Sequence, residues 1–429
     1  MRIRRFAKRA WLLALAVFAC TVLAAAAASA RPAVTLPLDL TGEIDGAPFR
    51  IVLPADWNGK LVVVAHGYRD KADHPGEVDN RAPLDAGLAP VFLSQGWGVA
   101  GTAYKDNGWA VKEALDDLVA LTSYFKDNVA KPEHAYLMGF SMGSVPTMRL
   151  AERNSGAFDG FIPACSVGAG TPRGADWLLT TMLAYDVVFG EPAAWGTPGD
   201  VRDDIDFESE VLPVLLGQLV NPANFGKFEF IRLVAGTPGR GLTPPPPPAF
   251  FPGWVFQDFF FGTEAGAELE RRAGGPVVQN LTHTYSLTPA EKTYLASLGV
   301  DADPLVAAMN GRRTISAPPA SRNYVEHYAE LDGTIKKPVL TLHTEIDGLV
   351  PVSHESAYRE TVEGVGNADL LFQAYTTGVG HCAFSPTQLV TTVNALDSWV
   401  ETGVRPTNAD FPPILGFDQS FVSPAWLQP

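Results

Sequence analysis

The chain has 429 residues, 46% of them hydrophobic, and a formal net charge of −15 at pH 7. This composition supports a large buried core and excludes a disordered chain, and the negative charge disfavours nucleic acid and anionic membranes as partners. Because the length exceeds that of one typical domain, we expect a core domain with a substantial insertion.

The first thirty residues have the form of a secretory signal. Five cationic side chains within the first nine positions precede an apolar run from Trp11 to Ala28, and the segment ends in Ala28, Ser29 and Ala30. We predict cleavage after Ala30 and a secreted or periplasmic mature chain with a net charge of about −20. The run could instead remain as an anchor, but its small terminal residues favour cleavage. No later segment offers about 18 uninterrupted apolar residues, so we expect no stable membrane anchor after cleavage.

Short apolar strands alternate with longer amphipathic segments along most of the mature chain. Strands are predicted at 49–53, 60–66, 97–104, 134–140 and 158–165, with helices at 109–129 and 142–152. The alternation resumes late in the chain, with strands at 336–344 and 369–376 and helices at 355–362 and 386–400. This order predicts an α/β fold with a mostly parallel central sheet and helices on both faces.

The alternation is interrupted between residues 169 and 335. We interpret this segment as a large helical cap or lid, inserted between a first part of the core at 31–168 and a second part at 336–429. Within it, Thr288, Pro289 and Glu291 form a helix start signal of a cap residue, a first-turn proline and a capping-box acid.

The insertion also contains five consecutive prolines, at 244–248, which precede an aromatic stretch at 249–262. One interpretation of that stretch is the insertion's own small core. The other is a wall that faces an apolar ligand. The two interpretations are compatible, and both stay open on the sequence alone.

A candidate nucleophile lies where a predicted strand passes into a predicted helix. Gly139, Phe140, Ser141, Met142 and Gly143 form the pattern G-x-S-x-G. The glycines allow the sharp turn that exposes the serine hydroxyl and leave room for a helix and a substrate to approach. The pattern alone is short, so the interpretation depends on finding a base and an acid for Ser141.

Both partners are available downstream. Asp347 follows the tip of a predicted strand, and His381 lies in the loop before the last helix. A serine hydroxyl needs a neighbouring base and a group that orients the base, and the order Ser141, Asp347, His381 is the one used in this architecture. Glu345 is the competing acid, two residues nearer the strand.

These motifs resemble those of serine esterases with the α/β-hydrolase fold, over residues 49–168 and 337–400. The resemblance implies that Ser141 attacks a carbonyl carbon, that His381 takes and returns the proton, and that Asp347 holds the imidazole. It implies no cofactor, and the histidines show no metal-ligand spacing.

The resemblance extends to the oxyanion site. His66, Gly67 and Tyr68 end a predicted strand and resemble the histidine-glycine pair that opens the oxyanion loop in these hydrolases. One donor is then the backbone N–H of Met142, and the second is a backbone N–H of Tyr68 or Gly67. We interpret His66 itself as a structural residue that holds this loop.

Two cysteines remain after signal cleavage, Cys165 and Cys382, and an oxidising compartment favours their pairing. Trp57-Asn58-Gly59 and His381-Cys382 are similar to motifs of the tannase and feruloyl esterase branch, in which a cysteine before the serine is tied to one after the histidine. Here Phe140 precedes Ser141, so we hypothesise that a Cys165–Cys382 bridge replaces that clamp. The alternative is two free thiols.

The sequence thus predicts an exported serine hydrolase that cleaves carboxylic esters, with an apolar or aromatic substrate. One alternative is a secreted serine peptidase or amidase of the prolyl-oligopeptidase-like type, because that class uses the same order of residues. Another is a binding protein on a hydrolase scaffold without catalysis. The sequence makes no prediction of the oligomeric state.

Overall fold

The computed structural model describes residues 34–70, 88–153, 156–237 and 253–427. The predicted signal segment and the prolines at 244–248 lie outside these ranges. The chain divides into two units, Met1–Thr35 and Leu36–Pro429, and the fold described below is that of the second unit. Within the described ranges, no helix has both the length and the apolar character needed to cross a bilayer.

An eight-stranded sheet forms the centre of the protein. Its strands are β1 Leu38–Ile44, β2 Ala47–Leu53, β3 Lys60–Ala65, β4 Gly98–Thr102, β5 His134–Phe140, β6 Gly160–Ala164, β9 Val339–Ile346 and β10 Leu371–Val379. The spatial order is β1-β2-β4-β3-β5-β6-β9-β10, and every pair from β4 to β10 is parallel while β2 pairs antiparallel with β1 and β4. This is the α/β-hydrolase fold. The predicted fold class is confirmed.

The central strands are apolar on both sides because helices cover both faces of the sheet. All five residues of β4 and of β6 are buried, as are five of the six in β3. Such continuous apolar runs are typical of parallel strands inside an α/β fold. The first strand, β1, is largely exposed and was not among the predicted strands.

Five helices belong to the core. They are α1 Leu88–Leu93, α2 Val111–Tyr124, α3 Ser144–Arg153, α12 Ser353–Gly364 and α13 Pro386–Thr402. Helices α1 and α13 share one buried cluster with alternate side chains of the central strands, including Val62, Met138 and Leu342. The predicted helix at 109–129 is confirmed, with a last turn at Phe125–Val129 that is wound as a π-helix.

The described part of the insertion between β6 and β9 is helical, as predicted. It contains α4 Gly170–Phe189, the hairpin strands β7 Gly196–Thr197 and β8 Asp200–Val201, α5 Leu212–Leu219, α6 Phe225–Ala235, α7 Gly253–Gly262, α8 Glu264–Ala273, α9 Pro289–Ser297, α10 Ala302–Gly311 and α11 Pro319–Ala329. The predicted helix start is confirmed, since Thr288 and Glu291 form a capping box at the first turn of α9. We refer to this insertion as the cap.

The cap has a hydrophobic core of its own. Trp195, Phe228, Trp254 and Phe259 are buried together in one cluster with side chains of α4 and α6. The described part of the aromatic stretch therefore packs mainly within the cap. Phe261, at the end of α7, instead lines a cavity that Ser141 also lines, and its role as a wall that faces an apolar ligand stays a prediction.

A buried arginine anchors the cap to the core. Arg272 of α8 lies 3.1 Å from Asp106 Oδ2 and 3.1 Å from Glu113 Oε2 in the core, and it also pairs with Glu268 of its own helix. Glu268 in turn accepts a 2.8 Å hydrogen bond from the backbone N–H of Trp109. These contacts hold α8 against the core segment that precedes and begins α2.

Candidate active site

Ser141 occupies a strained turn between β5 and α3. Its φ of 53° lies in the left-handed region that non-glycine residues rarely adopt. A Cβ at Gly139 would come within 2.2 Å of the Gly143 carbonyl oxygen, and a Cβ at Gly143 would come within 2.3 Å of the Ala65 carbonyl oxygen. Both positions of the motif therefore require glycine, because Gly139 lies against the backbone of Gly143, and Gly143 lies against the end of β3.

The sheet brings the two predicted partners of Ser141 to the same edge. Strands β9 and β10 end beside each other, with Ile346 paired to Val379, so that Asp347 and His381 follow neighbouring strand ends. His381 Nε2 lies 2.7 Å from Ser141 Oγ, and His381 Nδ1 lies 2.8 Å from Asp347 Oδ2. The three predicted residues thus form one continuous chain of hydrogen bonds.

Asp347 is buried and its carboxylate is fully hydrogen-bonded. Its Oδ1 accepts hydrogen bonds of 2.9 and 2.8 Å from the backbone N–H groups of Leu349 and Val350. Burial alone would raise the pKa of Asp347, but the charge and hydrogen bond of His381 outweigh it and hold the pKa below its usual range. The group therefore stays ionised and fixes the proton of His381 on Nδ1, which leaves the Nε2 lone pair for the serine hydroxyl.

The competing acid, Glu345, does not contact His381. Burial and the neighbouring Asp418 raise the pKa of Glu345 to about 7. Glu345 lies within β9, two residues before Asp347. The structure therefore brings Asp347, and not Glu345, to the histidine.

The loop after β3 approaches Ser141 closely. A Cβ at Gly67 would lie 3.2 Å from Ser141 Cβ, and Met142 is buried at the start of the turn into α3. The His66 ring stacks on Tyr104 at 4.0 Å, and its Nδ1 lies 2.6 Å from the Gly67 carbonyl oxygen. His66 thus supports the loop that presents the backbone of Gly67 beside the serine.

Tyr68 turns its side chain towards the cap. Its ring contacts Phe261 and Phe260 of α7, with centroid distances of 5.1 and 5.9 Å. The phenol oxygen is buried without a hydrogen-bond partner among the described residues, and burial raises the pKa of Tyr68 well above its usual value. The side chain of Tyr68 is part of the packing between the loop after β3 and the cap.

Cys165 and Cys382 form a disulfide in the structure. Ala164 pairs with Phe140 in the sheet, so Cys165 lies beside Ser141, and Cys382 directly follows His381. The bond therefore ties the histidine loop to the strand next to the nucleophile. Because both sulfurs are bonded to each other, they are not available as thiolate ligands, although they lie within 4.8 Å of a nitrogen of His381.

Ser141 opens into a cavity between the core and the cap. The cavity has a volume of about 870 Å³, including space open to solvent. Its lining is mostly apolar, with Trp109, Leu178 and Phe261 among the large side chains. A carbonyl group held at Ser141 would therefore leave the rest of its molecule among apolar side chains.

Two ionisable groups of the cavity wall were not among the predicted site residues. His354 accepts a 3.1 Å hydrogen bond at Nδ1 from the backbone N–H of Ala169, and burial lowers its pKa to about 3, so it is neutral. Glu270 of α8 is 5% exposed, and burial raises its pKa to about 8. Neither residue belongs to a sequence motif, and only the three-dimensional structure shows that both line the cavity.

Comparison with known proteins gives one similar sequence and many similar folds. No family profile matches this chain. Among curated proteins, the chain is similar to an o-phthalyl amidase from Xanthobacter agilis, with 22% identity over 413 aligned positions that cover 85% of this chain and 87% of that protein.

Similar solved structures include both types of protein that the motifs resemble. The tannin acyl hydrolase of Aspergillus niger has 14% identity and a TM-score of 0.41, over 86% of this chain and 79% of that chain. The acylaminoacyl peptidase of Pyrococcus horikoshii has 10% identity and a TM-score of 0.41, over 87% of this chain and 42% of that chain. The resemblance predicted from the motifs is confirmed at the level of the fold, which the strand order itself establishes.

Proposed function

We propose that this protein is a serine hydrolase that cleaves carboxylic esters through an acyl-enzyme on Ser141. The observation that carries the proposal is the continuous chain of hydrogen bonds from Asp347 through His381 to Ser141, at the mouth of an apolar cavity. Such an arrangement supplies a base and an orienting acid for a hydroxyl that is otherwise a weak nucleophile.

In the proposed reaction, His381 Nε2 removes the proton of Ser141 Oγ while the oxygen attacks the carbonyl carbon of the ester. The backbone N–H of Met142 and that of Gly67 or Tyr68 donate to the negative oxygen that develops, and each donor contributes about 3 kcal/mol. His381 then gives its proton to the departing alcohol. A water molecule, deprotonated by His381, attacks the acyl-enzyme and releases the acid and the free serine.

Amide cleavage is the second candidate, because the similar sequence is named an o-phthalyl amidase. The same groups serve both reactions, and a protonated His381 can donate to a departing amine as well as to an alcohol. We favour esters because the described cavity wall is largely apolar. An amidase that acts on anionic amides would need a lysine or arginine in this wall, and the described lining holds neither.

We further propose that the protein is exported, with cleavage after Ala30. The disulfide between Cys165 and Cys382 supports export, because such bonds persist in oxidising compartments. N-terminal sequencing of the protein from the culture medium or periplasm should give a chain that begins at Arg31. A full-length chain in the cytoplasm would contradict this part of the proposal.

Turnover of matched substrates tests the reaction. Purified mature protein is assayed with p-nitrophenyl esters of increasing acyl length and with p-nitroanilides of the same acids. We expect ester hydrolysis that falls at least about 10⁴-fold in Ser141→Ala. Ser94→Ala is the matched control, since Ser94 lies at the end of α1 and its hydroxyl donates only to the Val91 carbonyl oxygen. A fluorophosphonate should label Ser141, as detected by peptide mass spectrometry.

The two panels separate the candidates. Anilide turnover that equals ester turnover would favour an amidase. A protein that cleaves neither panel and takes no fluorophosphonate label would contradict the hydrolase proposal and favour a binding protein on this scaffold.

A further inference from the structure

One wall of the cavity carries an acidic group that the ester reaction does not use. Among the described lining residues, Glu270 is the one acidic side chain, and no lysine or arginine accompanies it. Ser141 comes from the core and Glu270 from helix α8 of the cap, and both line the same cavity. We propose that Glu270 binds a primary amine on the acyl group, which makes the substrates of the proposed hydrolase amine-bearing apolar esters.

Helix α8 contains three glutamates, and their contacts differ. Glu268 pairs with Arg272 and accepts from the backbone N–H of Trp109, and Glu264 accepts a 2.7 Å hydrogen bond from the backbone N–H of Phe207. Glu270 Oε2 accepts a 3.2 Å hydrogen bond from the backbone N–H of Val201. Its other oxygen has no partner among the described residues, so Glu270 keeps acceptor capacity on the cavity side.

Glu270 shares one face of helix α8 with other residues of the cavity wall. Ala265, Gly266 and Leu269 line the cavity beside Glu270, on one face of α8. The carboxyl group thus belongs to a residue on a packed helix and is not on a mobile surface side chain. The hydrogen bond from the backbone N–H of Val201 fixes its orientation. The residue therefore belongs to the wall that a bound substrate would contact.

The local charge favours a cation over other hydrogen-bond donors. Burial raises the pKa of Glu270, and the nearby carboxylates of Asp200 and Asp203 raise it further. An ammonium group on the substrate would offset the negative charges of Asp200 and Asp203, so that Glu270 could ionise and form an ion pair with it. A carboxylate on the substrate would instead add a third negative charge beside those two aspartates. The cavity should therefore accept amine-bearing acyl groups and reject acidic ones.

A set of esters with equal shape tests this selectivity. We compare p-nitrophenyl esters of 4-(aminomethyl)benzoate, 4-ethylbenzoate and 4-carboxybenzoate, and the corresponding phenylacetates, at a pH of about 8. We expect kcat/KM to be about tenfold higher for the amine than for the ethyl compound, and lowest for the carboxylate. Aminomethyl and ethyl groups have nearly the same volume, so charge and hydrogen bonding account for the difference.

Two variants assign the preference to one side chain. Glu270→Gln keeps the acceptor for Val201 but removes the charge, and it should lower the ratio of kcat/KM for the amine to kcat/KM for the ethyl compound to about one. Glu264→Gln is the matched control on the same helix, because Glu264 also accepts a backbone N–H but does not line the cavity. It should keep the preference of the unmodified protein.

The outcomes distinguish this inference from the proposed reaction. Two results would overturn the role of Glu270 and leave the hydrolase proposal intact. One is cleavage of the ethyl ester with no preference for the amine, and the other is a preference for the amine that persists in Glu270→Gln. If no ester is cleaved, titration calorimetry of the Ser141→Ala protein with 4-ethylbenzylamine tests directly whether Glu270 binds an amine. Binding that weakens about tenfold in the Ser141→Ala, Glu270→Gln double variant supports the amine site, and equal or absent binding refutes it.

Discussion

Asp347 determines which nitrogen of His381 carries the proton. In Asp347→Asn, the amide oxygen would still accept from the backbone N–H groups of Leu349 and Val350, so the NH₂ group must face the ring. Nδ1 then has to accept, and the proton moves to Nε2, where it blocks the serine. We expect kcat to fall by about 10³- to 10⁴-fold with little change in thermal stability.

Steady-state kinetics with the preferred ester measure this loss, and Glu345→Gln is the control. Glu345 carries a carboxyl two residues away but does not contact His381, so its substitution should change kcat less than about threefold. An equal loss in both variants, or none in Asp347→Asn, would contradict the assignment of the acid.

The residues at the centre of the site were predictable from sequence because local rules determine where they lie. Ser141 is part of a motif that needs a strand before it and a helix after it, and Asp347 and His381 follow the ends of parallel strands, which meet at one edge. Glu270 was not predictable. It lies in a charged helical segment, and Val201, whose backbone N–H donates to its side chain, is 69 positions away in the chain.

At the scale of elements, Arg272 determines how firmly helix α8 is attached to the core. In Arg272→Met, the nearby carboxylates of Asp106, Glu113 and Glu268 lose their shared cation. Removing one partner of a buried ion pair leaves uncompensated charge, so we expect a loss of about 3 kcal/mol in the free energy of unfolding. KM should rise as well, since Leu269 and Glu270 of the same helix line the cavity.

Urea unfolding and ester kinetics measure both effects. Arg271→Met is the control, because Arg271 is exposed and donates to the Asp203 carbonyl oxygen, away from the core. Its loss should cost less than about 1 kcal/mol. If the two variants unfold alike, the contacts of Arg272 with the core are not what holds the cap.

The disulfide acts on a second element, the loop that carries His381. In a Cys165→Ala, Cys382→Ala double variant, we expect the free energy of unfolding to fall by about 4 kcal/mol, because the bond closes a long loop in the unfolded chain. We also expect kcat to fall, since His381 loses its covalent tie to the strand beside Ser141. Thermal unfolding and steady-state kinetics of the double variant, and of the unmodified protein with and without reductant, test both effects. An unchanged kcat would mean that hydrogen bonds alone position His381.

Most strands could be predicted from their apolar runs, and the exceptions have a physical reason. β1 has the sequence LDLTGEI, is largely exposed and pairs with β2 alone, so its strand character depends on a neighbour and not on its own composition. The arrangement of the cap helices was also not predictable. Parallel strands joined by helices follow a handedness rule, but helices in an insertion pack by the shapes of their side chains.

At the scale of the whole molecule, several carboxyls that are wholly or largely buried have no ion-pair partner among the described residues, and stability should depend on pH. Burial is the largest cause that raises the pKa of Glu191 and of Glu270 to about 8, and it raises that of Asp258 well above its usual range. A carboxyl whose pKa is raised by folding stabilises the folded state fully below its unfolded pKa, and this contribution is lost as the pH rises to the folded value.

We therefore expect the thermal midpoint to fall by several degrees between a pH of about 5 and a pH of about 8.5. General repulsion in this acidic chain acts in the same direction, so a variant is needed to separate the two causes. Glu191→Gln removes one titrating group and should make the decline shallower between about pH 6 and 9. Differential scanning calorimetry across this range gives the comparison, and a midpoint that rises with pH would contradict the prediction.

The bond between Cys165 and Cys382 spans 217 positions and encloses the entire cap within a covalent ring. A protease that cuts once inside the cap would therefore yield two polypeptides that remain one molecule, with Ser141 on the first and His381 on the second. Such nicked protein would migrate as a single band without reductant and as two bands with it. If the protein is exported, as proposed, it would keep Ser141 and His381 paired even after such a break in its backbone.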